Sequence, residues 1–101
     1  MDERQVAEKL VNMVLAKGYT ISIFDGEEYR VSVCADRESI LRFLQSTDEE
    51  RLTIWFQGKR LGFVWLVWGN SPDELIADYS GEETGAIGLL VRQHAEICGF
   101  E

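Results

Sequence analysis

Residues 51–69 constrain this chain more than any other stretch. They read RLTIWFQGKRLGFVWLVWG and contain all three tryptophans. Two apolar runs, 52–56 and 61–68, flank Gln57-Gly58-Lys59-Arg60, the pattern of a β-hairpin. A two-residue loop at Gly58-Lys59, with glycine supplying the positive φ of a II′ turn, pairs Phe56 with Leu61, Ile54 with Phe63 and Leu52 with Trp65. Strand side chains alternate between faces. This register therefore expects Leu52, Ile54, Phe56, Leu61, Phe63, Trp65 and Val67 on the core face. The opposite face carries Thr53, Trp55, Gln57, Arg60, Gly62, Val64, Leu66 and Trp68. A solvated sheet face is mostly polar, and this one is not. Trp55, Val64, Leu66 and Trp68 need a cover, which is a helix of the same chain, a second subunit, a ligand or a partner protein.

The rest of the chain supplies helices and a second hairpin. Residues 2–17 carry Val6, Leu10, Met13 and Val14 at helical spacing, with Asp2 and Glu3 at the N-terminal end and Gly18 as the stop. Residues 19–34 read as a hairpin around Asp25-Gly26-Glu27. A three-residue loop pairs Ile23 with Tyr29 and Ile21 with Val31, with Val33 on the same apolar face and Thr20, Ser22, Arg30 and Ser32 on a wet one. Asp36 caps a short helix through Ser46 that buries Ile40, Phe43 and Leu44. Ser71-Pro72-Asp73-Glu74 has capping-box spacing and opens a short helix with Leu75, Ile76 and Tyr79. Ser80 and Glu83 repeat that spacing ahead of a last helix to about Cys98. Ile87, Leu90, Val91, His94 and Ile97 share one side of it, and Gly99 ends it.

These elements give an α+β domain over residues 1–101, in the order α-β-β-α-β-β-α-α. A four-stranded, mainly antiparallel sheet from two hairpins packs against helices. Residues 19–46 and 51–79 form a ββα pseudo-repeat. An all-antiparallel arrangement then takes the strand order 1-2-4-3 or 2-1-3-4.

At 101 residues, such a chain buries roughly two-thirds of its unfolded surface, enough for a core without disulfide staples. No apolar run reaches the roughly 18 residues of a membrane span, and no basic-then-apolar leader opens the chain. Two distant cysteines, Cys34 and Cys98, fit a reducing compartment, so a cytoplasmic location is expected. The net charge is −8 and is unevenly spread. Residues 1–68 hold 11 acids against 9 bases, whereas residues 69–101 hold 7 acids against Arg92 alone. Phosphate-rich partners need clustered Lys and Arg, so nucleic acid and anionic membranes are disfavoured and a basic protein stays open.

Candidate chemistry is sparse. His94 and Cys98 lie four apart on one helical face, but a structural zinc site takes four ligands and Cys34 is the only other soft one. Cys34 and His94 could form a nucleophile–base pair if the fold joined them. The acidic clusters sit at turns and helix starts, where capping and the helix dipole account for them. No phosphate loop, dinucleotide fingerprint or hydrolase elbow is present. The sequence therefore points to a non-catalytic interaction protein that needs no cofactor and no metal. It would bind a partner protein or itself through Trp55, Val64, Leu66 and Trp68. Asp73, Glu74, Asp78, Glu82 and Glu83 would form an acidic steering surface. The alternative is a small-molecule binder or enzyme with a pocket between the sheet and the last helix.

Overall fold

A computed structural model describes residues 2–81 and 85–97. Helix α1 spans Glu3–Ala16. Asp2 starts it with a reciprocal cap: its carboxylate accepts from the Gln5 backbone N–H at 2.8 Å, and the Gln5 side chain accepts from the Asp2 N–H at 3.0 Å. Val6, Ala7, Leu10, Val11 and Val14 form its buried stripe. Strands β1 (Thr20–Phe24) and β2 (Tyr29–Cys34) follow, then helix α2 (Arg37–Phe43), strands β3 (Glu49–Phe56) and β4 (Lys59–Val67), strand β5 (Ile76–Tyr79) and helix α3 (Ala86–Ile97).

The architecture is α+β, and all five strands pair antiparallel in the order β2-β1-β3-β4-β5. Four strands were expected and five form: the element order differs because residues 76–79 are a strand instead of a helix. The first four strands take the 2-1-3-4 arrangement, one of the two expected, with β5 added beside β4. The Ser71 side chain makes no capping bond, and only a single 3-10 turn, Pro72–Glu74, forms. Without β5, the β4 backbone would present an unpaired edge. Val67 N–H instead donates to Leu75 O at 2.9 Å, and Ile76, Asp78 and Tyr79 pair with Leu66, Trp65 and Val64. The second unit of the supposed ββα repeat therefore ends in a strand, and the repeat does not hold.

The first hairpin also departs from expectation. Its loop has four residues, because Asp25 N–H bonds Glu28 O at 3.1 Å while the Asp25 carboxylate accepts from the Glu27 and Glu28 N–H groups. Ile23 then pairs with Val31, and irregularities on either side turn Val33 (φ 42°) and Tyr29 outward. Helix α2 stops at Phe43, short of Ser46. The Asp36 side chain bonds the Ser39 hydroxyl and caps no backbone N–H.

The helices share one face of the sheet. Helix α1 packs beside α2 and α3, with α2 over β1 and β2 and α3 over β4 and β5. One continuous core results, formed by the α1 stripe, Ile40, Leu75, Ile87 and Leu90 with Ile21, Ile23, Val31, Leu52, Ile54, Val64, Leu66 and Trp68 of the sheet side.

Candidate functional site

The face that β4 buries is decided by one residue. The β3–β4 loop is Gln57-Gly58, both with positive φ (50° and 79°), one position earlier than expected. That change moves the register by two residues and leaves the faces as they were. A second irregularity does not. Trp55 pairs with Arg60 but Ile54 pairs with Gly62, so Leu61 is an extra, unpaired residue. Such a bulge moves the register by one, and a one-residue shift exchanges faces. Beyond it, Leu52 lies opposite Val64 and Thr53 opposite Phe63.

Val64, Leu66 and Trp68 are consequently core residues, at most 8% exposed. The expectation that they share an outer face with Trp55 is overturned. The chain's own helices cover them. Phe63, Trp65 and Val67, expected inside, lie on the opposite face and are each half-buried. Phe56 and Leu61, near the turn, are exposed.

That opposite face carries no helix among the described residues. Cross-strand partners share a face, so the pairings place its side chains in rows. One row runs Tyr29–Phe24–Arg51–Trp65–Asp78 across all five strands. The next runs Ser22–Thr53–Phe63, and a third runs Thr20–Trp55–Arg60. Glu49 and Val67 lie opposite each other at the far end of β3 and β4. The face is therefore aromatic, with a cation at its middle. The Arg51 guanidinium carbon lies 5.1 Å from the Phe24 ring centre and 5.8 Å from that of Phe63, in cation–π range of both. Its Nε is buried and has no acceptor. The Trp55 indole N–H donates to Ser22 Oγ at 3.1 Å, so that ring reaches over β1. Ser22, expected to be wet, is 1% exposed, and Thr53 is 2% exposed.

Asp78 is at the end of the aromatic row and exposed. Glu74 is exposed, and it lies with Asp73 in the 3-10 turn ahead of β5. Glu82 and Glu83 lie outside the described residues, as do Cys98, Gly99 and the Ser80–Glu83 cap. The reading of His94 with Cys98 as a metal pair therefore falls partly outside them. Cys34 ends β2 at one side of the sheet, its sulfur accepting from the Asp36 N–H at 3.3 Å. His94 is 3% exposed on α3, over the other side. The fold does not join Cys34 to His94. A cleft of about 210 Å³ lies between β5 and α3, and Tyr79, Gly88, Val91 and Arg92 line it among the described residues. No helix among the described residues is long and apolar enough to cross a membrane.

Sequence reasoning missed Glu50 altogether and treated it as part of a polar connection. It is 1% exposed. Its Oε1 accepts from the Gln45 N–H at 2.7 Å and from the Trp68 indole N–H at 3.2 Å, while Oε2 is buried without a partner. Burial pushes this carboxyl above the ordinary glutamate range, against the opposing effect of those hydrogen bonds and of Arg4. The signal was present: Glu50, Leu52 and Ile54 alternate at strand period, which puts Glu50 on the core face. Comparison of the chain with protein-family models, with curated proteins and with solved structures gives no match.

Proposed function

We propose that this chain is a small acidic interaction protein that works without catalysis and binds protein through the open face of its sheet. One observation carries the reading: Phe24, Trp55, Phe63, Trp65 and Val67 are all partly solvent-exposed there, together with Tyr29 at 52%. An antiparallel sheet face left to water is ordinarily polar. Exposed aromatic groups around an arginine are also the composition enriched at protein interfaces. The contact residues of this reading are Trp55, Phe63, Trp65 and Val67, with Arg51 among them. Asp78 stands at the β5 end of the face and Glu74 in the turn ahead of β5, and the acidic last third of the chain would act on approach. A cytoplasmic location belongs to the same reading and rests on the two widely spaced cysteines.

The test is the accessibility of the face in dilute solution. Acrylamide should quench Trp55 and Trp65 readily in the folded protein. An apolar fluorescent dye should bind, and Phe63→Thr with Trp65→Thr should abolish dye binding while circular dichroism stays unchanged. Shielding of both tryptophans from acrylamide in the monomer would refute the reading. The alternative, a ligand pocket between sheet and last helix, has the β5–α3 cleft as its site. Neither His94 nor Cys34 is among its described lining residues.

A further inference from the structure

We infer that the occupant of the open face is a second copy of this chain, related by a two-fold axis running along β4. The inference rests on the reading that this face binds protein, and it commits that reading to one partner. The row Arg51–Trp65–Asp78 has its aromatic member on β4 and its two charges on the strands at either side. Adjacent strands are spaced at about 4.8 Å, so the charges lie at similar distances from Trp65. A two-fold along β4 turns the face over and keeps the level of each residue along the strand. It sets Trp65 against Trp65 of the second copy, and each Arg51 against the other copy's Asp78.

Neither charged group has an ion-pair partner among the described residues. Asp78 is exposed, and its Oδ1 takes only the N–H of the adjacent Tyr79, at 2.8 Å. Within this row Arg51 and Asp78 balance each other, although the chain as a whole carries −8. A strongly basic protein would find most of its counter-charges off this face. A second copy meets its own complement.

The overlap covers β3, β4 and β5. At strand spacing and rise it amounts to roughly 14 Å by roughly 30 Å, or about 400 Å² of plan area per copy. That is below the ~800 Å² per partner of a standard interface, so the dimer is weak and concentration-dependent.

Sedimentation equilibrium on the whole chain, from micromolar to millimolar, tests this at low and high salt. The expected result is a monomer–dimer equilibrium that persists at high salt, where the repulsion between two −8 chains is screened. Asp78→Arg should weaken dimerisation about tenfold or more, because it meets Arg51 of the other copy. Arg51→Asp should do the same, and the double variant should restore the dimer. If Arg51→Asp fails to fold, Trp65→Lys with Asp78→Arg decides the matter, both lying on the open face. A dimer indifferent to Asp78→Arg and Trp65→Lys would overturn the proposal. So would a monomer at every concentration. In that case Trp65 open to acrylamide would leave the face free for another protein, a basic one included, whereas Trp65 shielded would remove the binding reading as well.

Discussion

Glu50 and Trp68 hold each other in the core: the indole N–H of Trp68 donates to Glu50 Oε1 at 3.2 Å, and both residues are at most 8% exposed. The same oxygen accepts from the N–H of Gln45, whose φ is 65°. One carboxylate thus secures the α2–β3 connection and the end of β4. Its second oxygen is buried without a partner, so the charged form is penalised and its pKa is raised. A raised carboxyl pKa means that the folded state binds a proton more tightly than the unfolded chain. The contribution to stability is then fully present below the unfolded value of 4.5 and is lost as pH rises through the folded value. Urea midpoints of the parent and of Glu50→Gln, measured from pH 4 to pH 8, should show the parent losing ground to the variant as pH rises. Parallel curves would show that Glu50 ionises in the fold as it does in the unfolded chain.

Gly62 sets the approach of α3 to the sheet. It lies opposite Ile54, next to the bulge, and a Cβ there would meet the Ser80 hydroxyl and come within 2.8 Å of Ile87 Cγ1. Ser80 Oγ accepts from the Phe63 N–H at 2.9 Å, so the side chain cannot move aside without loosening the backbone beyond β5. Gly62→Ala should therefore destabilise by about 1–3 kcal/mol, the range for overpacking a filled core. Gly58→Ala, with open space around it but a φ of 79°, shows what positive φ costs without crowding. A neutral Gly62→Ala would mean that α3 is not seated as described.

The three tryptophans should behave as two classes. Trp68 is 8% exposed and hydrogen-bonded within the core, so Trp68→Ala should cost about 3–5 kcal/mol. Trp65 is half-buried on the open face, with no helix above it among the described residues, and Trp65→Ala should cost markedly less. Variants retaining one tryptophan each, with phenylalanine at the other two positions, would let acrylamide quenching rank them. Trp68 should be the most protected. Equal quenching of all three would contradict the exchange of faces on β4.

That exchange marks the boundary of what was legible from the residues. The α+β class, α1, the buried side of α3 and the existence of both hairpins follow from periodicity and turn residues, which are local. The aromatic outer surface was legible in kind, since two neighbouring strands with apolar residues on both faces must leave one set outside. Which set depends on Leu61, a single unpaired residue whose neighbours announce nothing unusual. Local patterns do not count ladder residues, so a ladder drawn without the bulge assigned Val64, Leu66 and Trp68 to the wrong face. The strand at residues 76–79 was hidden for a different reason. Ser71, Pro72 and Glu74 are sound helix-start signals, but the unpaired edge of β4 outweighs them, and that edge exists only in the assembled sheet.

Asp25 offers a check on the first hairpin that is independent of the core. Its carboxylate accepts from two backbone N–H groups at 2.9 Å and from Arg30 Nε at 2.7 Å, and these bonds lower its pKa from 3.8 to about 2, the backbone donors most of all. The stability it lends the turn is present above 3.8 and disappears as pH falls towards 2. Carboxyl-carbon NMR should find Asp25 titrating near 2, and Arg30→Gln should move that value up only in part. An ordinary aspartate titration would show that the four-residue loop is not formed.

Arg4 connects the fold of α2 to the charge state of Glu50. Its Nη1 and Nη2 donate to the carbonyls of Leu44 and Leu41 at 2.8 and 2.6 Å, closing the end of α2, while Nε pairs with Glu8 at 3.0 Å. Arg4→Met removes two charge-assisted bonds from a partly exposed side chain, and a cost of about 1–2 kcal/mol is expected after allowing for solvent screening. Arg4→Lys should not restore it, because one ammonium does not reproduce the planar fork that reaches both carbonyls. Arg4 also favours the ionised form of Glu50. Its removal should raise the Glu50 pKa further, so Arg4→Met should cost more at pH 8 than at pH 4. A double-mutant cycle with Glu50→Gln isolates that component. The coupling should grow with pH, and a coupling that is zero at both ends of the range would show that Arg4 acts on α2 alone.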